Sequence, residues 1–173
     1  MEHYKISFKY GLYGALIGLI FYLLLLFSGN SPWGSSSWMG SWIPGVTAYF
    51  AIKTFKEDTD QEDFTFSKLF RIGFATIFFQ AMFVNILTII VATVLNTNAI
   101  EIYKAEMAQN AEQLKTMISV DMYNQLQTEL KNISQSVLAF WDFIYKLIGG
   151  LIVSLILARS LKSNKPIFDN PHE

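Results

Sequence analysis

Residues 11–52 read GLYGALIGLIFYLLLLFSGNSPWGSSSWMGSWIPGVTAYFAI, and not one of them is charged. The first half is apolar almost throughout, the centre is a Ser-, Gly-, Pro- and Trp-rich turn, and the apolar character returns from Trp38 onward. Apolar runs of about 18 or more residues read as membrane spans, because a soluble core of ordinary size cannot cover them. A second uncharged stretch covers Ile72 to Ile100. The whole chain agrees: of 173 residues 52% are hydrophobic and 16% charged, with a mean hydropathy of +0.32, where soluble domains average about 25% charged. A cytosolic globular enzyme and a secreted domain are excluded. The expected class is an all-α integral membrane protein that meets the lipid bilayer over most of its surface.

Working outward, the pattern predicts four spans in a single membrane domain, at about 10–27, 38–55, 69–95 and 137–158. At ~1.5 Å per residue each reaches across a hydrocarbon core of ~30 Å, the first two only just. Lys5 and Lys9 before the first run imitate a signal peptide, but the run is too long and no small-x-small cleavage site follows. The second span carries Ser41, Pro44, Gly45 and Thr47, and Pro44 is expected to kink it. Lysine and arginine decide whether it crosses. With four spans, nine basic residues fall on the side of both termini and the 53–71 loop, against Lys104, Lys115 and Lys131 on the other. That is a positive-inside bias with both termini cytoplasmic, and it disappears if the second segment does not span. Trp33, Trp38, Trp42 and Trp141 then gather at the outer interface, where amphipathic rings are favoured.

The stretch of about 99–136 between spans three and four is too long for a bare connection. Tyr103, Met107, Ala111, Leu114 and Ile118 recur at helical spacing, as do Tyr123, Leu126, Leu130, Ile133 and Val137. With a break near 117–121, where Ser119 or Asp121 can cap a new helix, this predicts an extracytoplasmic amphipathic helical hairpin. Its second helix is expected to continue unbroken into the fourth span. Three lysines and five acids make the hairpin net negative, which argues against docking on anionic lipid. Its stripes pack on each other or offer a surface to another protein. The run 56–63 is acidic but lacks the glycine and ligand spacing of an EF-hand, so it reads as a solvated connector or a divalent-ion site. Residues 163–173 read as a mobile tail.

Within the spans, Asp142 and Lys146 stand out, since a charge near a helix centre costs about 2.5–3.5 kcal/mol on insertion scales. Their i, i+4 order suits an intrahelical pair, at depths of ~8 and ~13 Å below Val137. Asn85 and Thr88 on the antiparallel third span fall at similar depths and Gln80 deeper, so a polar cluster of Asp142, Lys146, Asn85 and Gln80 is expected. Either it lines a path for a proton, ion or solute, or it fixes how the helices pack. Gly11, Gly14 and Gly18 in the first span and Gly149 and Gly150 in the fourth are expected points of close helix approach.

The chemistry of enzymes is sparse. There is no cysteine, His3 and His172 lie alone at the chain ends, and no Walker A, GxSxG or HExxH motif occurs. Ser154 and Lys146 are eight residues apart on one helix, ~12 Å, too far for a dyad. No catalytic residue, metal or cofactor is expected, and a net charge of −1 at pI 6.1 offers no nucleic-acid footprint.

Lys9-Tyr10-Gly11-Leu12-Tyr13-Gly14 opens the first span, Ile52-Lys53-Thr54-Phe55-Lys56 closes the second, and an acidic loop leads to Phe64-Thr65-Phe66-Ser67-Lys68-Leu69-Phe70-Arg71-Ile72-Gly73-Phe74. In these segments the chain resembles the bacterial domain-of-unknown-function family 4199. The resemblance implies a small four-span protein of the bacterial inner membrane, and it brings no activity, substrate or catalytic residue. The resulting expectation is a multi-pass, non-enzymatic protein acting by association with a membrane partner or a second copy, through its outer hairpin. The alternative is a small oligomeric transporter or channel using Asp142 and Lys146.

Overall fold

A computed structural model describes residues 2–59, 64–95 and 97–163, and among these every regular element is helical. The expected tail (163–173) thus lies outside the described residues from 164 onward, as do residues 60–63 of the acidic loop.

Helix α1 spans Glu2–Phe27. It stops where Gly29 adopts φ 74° and lets the Gly29 and Asn30 amides reach back to the Leu26 and Leu25 carbonyls, at 3.0 and 2.9 Å. This is the left-handed turn that closes a helix with paired backbone bonds, and it favours glycine. A six-residue 3-10 helix, Ser35–Gly40, follows. Helix α2, Ile43–Glu57, begins with Pro44 in its first turn, where the missing N–H has no helical acceptor to lose. Pro44 therefore starts the helix and does not kink it. Helix α3 is Phe66–Val94, α4 is Ala99–Leu114, α5 is Val120–Asn132 and α6 is Gln135–Leu161.

The hairpin break falls where it was expected, with Ser119 capping α5 by accepting from the Met122 amide at 3.3 Å. The expected continuity into the last long helix is overturned. Ile133 and Ser134 are extended, and the Ser134 hydroxyl caps α6 by accepting from the Val137 amide at 3.4 Å. A serine offering its side chain to the backbone ends one helix and starts another.

Among the described residues three helices, α1, α3 and α6, are long and apolar enough to cross a membrane, which marks a membrane protein. With 15 residues, α2 reaches only ~22 Å, short of a ~30 Å core. The central helix is α3, flanked by α1 and α6, with α2 packed against all three.

Side-chain contacts fix the directions. The Ser7 hydroxyl donates to the Ile72 carbonyl at 3.1 Å, Gly11 abuts Thr76 and Phe79, and Gly18 abuts Val84, so α1 and α3 run parallel. Tyr10 meets Thr54 at 2.6 Å and Gly14 meets Thr47, while Gly73 faces Ile52 and Gln80 bonds Thr47, so α2 runs against both. Gly73 faces Ser154 and Gly150 faces Ile77, so α6 is antiparallel to α3.

One end of the bundle is closed by Ile52, Phe55, Phe64, Leu69, Ile72 and Ala158. Lys56 lies over the Phe64 ring, 5.1 Å from its centroid, and donates to the Leu161 carbonyl at 2.9 Å. Phe64 and Ser163 exchange backbone and hydroxyl bonds of 3.1 and 3.2 Å. At the other end Tyr22, Leu26 and Ala99 pack with Trp33, Val91 and Ile102, which seats the start of α4 on the ends of α1 and α3.

Candidate functional site

The expected polar cluster resolves into two separate sites. On α6, Lys146 and Asp142 form their i, i+4 ion pair, with side chains 32% and 25% exposed. Carrying the register of Gly73 with Ser154 and Ile77 with Gly150 one further turn each time puts Ala81 level with Lys146 and Asn85 level with Asp142. Asn85 and Asp142 therefore lie level with each other, but no hydrogen bond joins Asn85 to the pair among the described residues. The Asn85 amide instead donates to the Ala81 carbonyl at 2.9 Å, and its Oδ1 is buried without a partner. Thr88 donates to the Asn85 carbonyl within α3.

Gln80 lies elsewhere, at the junction of α1, α2 and α3. It is buried, with its Oε1 2.5 Å from the Thr47 hydroxyl, which also stands 3.1 Å from the Ile43 and Pro44 carbonyls. A single hydroxyl proton serves one acceptor at a time. An amide rotated so that its NH₂ donates to Thr47 would satisfy both residues, and O and N are interchangeable by assignment. This buried bond is polar glue between helices, a use that raises packing specificity more than function. In the sequence Thr47 reads only as a polar interruption of the second span. A threonine on a short helix opposite a glutamine on a long one has no signature in a single chain.

The glycines divide in the same way. A Cβ on Gly11 would come within 2.7 Å of the Phe79 Cβ and 2.9 Å of the Thr76 carbonyl oxygen, and one on Gly18 within 3.0 Å of Val84. Gly14 is the site where Gln80 and Thr47 converge, at 2.5 and 2.8 Å. The three therefore serve packing inside one chain. Gly150 faces Ile77, but Gly149 is exposed, with nothing within 4 Å. Gly149 is not a point of approach within this chain. Gly73 is one, against Ile52 and Ser154, and the buried Ser154 hydroxyl has no hydrogen-bond partner among the described residues.

The second candidate is the α4–α5 hairpin. Its base is tied down by Glu106, whose carboxylate accepts from the Ser35 amide at 2.9 Å and from the Ser35 hydroxyl at 2.5 Å. Gly34 leaves the room for this, because a Cβ there would run into Glu106. Burial, the Glu106 carboxylate and Tyr145 together push the Tyr103 phenol above its ordinary range. Farther out, Tyr123 donates to Glu112, Lys115 lies 3.4 Å from Glu112 and 5.1 Å from the Tyr123 ring centroid, and Lys104 donates to the Lys131 carbonyl at 3.1 Å. The hydrogen bond from Tyr123, followed by the charge of Lys115, lowers the Glu112 carboxyl. The same bond raises the Tyr123 phenol. The apolar stripes are half-buried against each other, with only Ala99 and Ala111 fully buried in α4 and nothing in α5. At the tip Met117 and Val120 are 79% and 75% exposed.

A family model described as a protein of unknown function, DUF4199, matches residues 9–163. No curated protein and no solved structure matches the chain.

Proposed function

Because this chain belongs to the DUF4199 family of proteins of unknown function, a description that names no activity, we propose its role from geometry: a four-span, non-enzymatic protein of the bacterial inner membrane that acts by association. Both termini are cytoplasmic and the α4–α5 hairpin is the outer contact surface. The parallel course of α1 and α3 supports the four spans, since a chain that crosses twice in one direction must return between the crossings. The segment available for the return is the 3-10 helix and α2 together. The sorting of nine basic residues to one side supports the orientation.

The observation that carries the association reading is the tip of the hairpin. Leu114, Met117, Val120 and Met122 are 44–79% exposed on a hairpin held by Glu106 and by the packing of Ala99 with Tyr22 and Leu26. Exposed apolar groups on a supported scaffold are the usual anchor of a protein contact, methionine being adaptable to its partner. Changing Met117, Val120 and Met122 to serine alters no buried residue. In native membranes cross-linked and then purified, the triple variant is expected to lose a stoichiometric partner that the unaltered chain retains. An unchanged set of adducts removes the hairpin from the contact.

A second reading, a small oligomeric transporter, draws on the Asp142–Lys146 pair at membrane depth and on the unsatisfied Asn85 Oδ1 at the same level. Flux through proteoliposomes that Lys146→Met abolishes would favour it.

A further inference from the structure

We propose that α6 is the homodimer seam of this protein, and that Asp142 and Lys146 pair across it with the same residues of a second copy. The inference goes beyond the hairpin and does not depend on it. The apolar window of α6 is only 11% buried by its own chain, against 33% for α1 and 39% for α3. Asp142, Tyr145, Gly149, Ile152 and Ile156 recur on it at alternating steps of four and three, the repeat by which two helices pack along a left-handed seam. Below Asp142, the described residues of its own chain leave that line largely uncovered. Tyr145, Ile152 and Ile156 are 67%, 53% and 60% exposed, and a Cβ on Gly149 would meet nothing within 4 Å. Gly149 is thus a gap at the middle of the line, wide enough for another backbone to come close.

The charges say what fills it. Asp142 and Lys146 keep 25% and 32% of their side-chain surface open, at a depth where lipid tails can satisfy neither. A charged pair within a span faces protein or water. A second copy related by a two-fold axis along the membrane normal carries the same pair at the same depth. Its Lys146 then lies one helical turn from this chain's Asp142, and its Asp142 one turn from this chain's Lys146. An isologous contact of this kind is self-complementary: each acid gains a second base and each base a second acid. A partner of different sequence would have to supply a matching base and acid one turn apart, whereas a second copy supplies them by symmetry.

The absence of cysteine makes the test direct. Single cysteines are placed from 145 to 156 along α6 in the full-length chain, in native membranes, and oxidised. Disulfide-linked dimer is expected at 145, 149, 152 and 156, with minima at Ile148, Leu151 and Leu155, which are 56%, 44% and 41% exposed but lie off the line. No dimer band, a band without that periodicity, or an adduct with the mass of another protein overturns the proposal. A second experiment reads the charges. Two differently tagged chains, D142K and K146D, are co-expressed, each with cysteine at 149. Mixed dimer is expected in roughly fivefold excess over either homodimer, because each variant opposes like charges to its own copy. A mixed dimer only about twice as abundant as either homodimer, the ratio of random pairing, would overturn the cross-pairing. If either charge variant does not accumulate, the cysteine scan on native charges decides alone.

Discussion

Gly11 and Gly18 lie two turns apart on the face of α1 that meets α3, yet their neighbours are of different kinds. Gly11 stands against a backbone carbonyl and a Cβ, which cannot move unless α3 moves; Gly18 stands against a valine methyl at 3.0 Å, which need give by only a few tenths of an ångström. Alanine also gains about 1 kcal/mol over glycine in a helix, so the two substitutions should differ in outcome. Gly11→Ala is expected to cost about 1–3 kcal/mol through forced separation of α1 and α3, while Gly18→Ala stays near neutral. Unfolding in detergent followed by loss of helical signal checks both, and equal effects would contradict the packing described. The sequence marked these glycines as small residues at helix-packing spacing. It could not show that Gly149 faces away while Gly73 faces in, because the pattern of small residues does not say which side of a helix has a neighbour. Gln80 makes the same point. Its place along the third long helix is legible in the sequence, but its bond to Thr47 rests on the placement of α2, about 33 positions earlier in the chain.

Among the elements, the hairpin is the one whose stability rests on polar contacts, since its two helices bury little. The depressed Glu112 carboxyl contributes stability that is present above the ordinary carboxylate range and lost as pH falls through its lowered value. The raised Tyr123 phenol contributes stability that is present below its ordinary value and lost only as pH rises through the raised one. Their bond is therefore intact across the neutral range and fails first on the acid side. Amide protection factors in α4 and α5 should fall on acidification, and Tyr123→Phe should remove most of that dependence. Protection equally pH-dependent in both chains would show that the bond does not matter. The boundaries of the hairpin were legible at Ser119 and misread at Ser134. Both serines precede a helix, but the second sits inside an apolar stripe that continues through it, and periodicity concealed the break.

At the scale of the molecule, the four-span topology turns on α2. Cysteines at Asn30, Asp58 and Met117, all exposed, would report it through an impermeant maleimide on oriented vesicles. Asn30→Cys and Met117→Cys are expected to react from outside and Asp58→Cys only from the cytoplasmic side. Reaction of Asp58→Cys from outside would mean that α2 does not cross.

What the sequence determined by itself is whatever water and lipid impose on each segment separately. Uncharged runs of sufficient length, the sorting of lysines and arginines, and the helical spacing of 99–136 follow from solvation, which acts residue by residue along the chain. Only the tertiary structure decided that α3 packs against both α1 and α6, that Gln80 and Asp142 belong to different sites, and that one flank of α6 is left without a neighbour among the described residues. Those facts depend on which faces of distant helices meet. A helix in lipid gains little from burying one apolar side rather than another. Its facing is therefore set by close backbone approach at a few glycines and by a few polar bonds, which appear only when the segments are together.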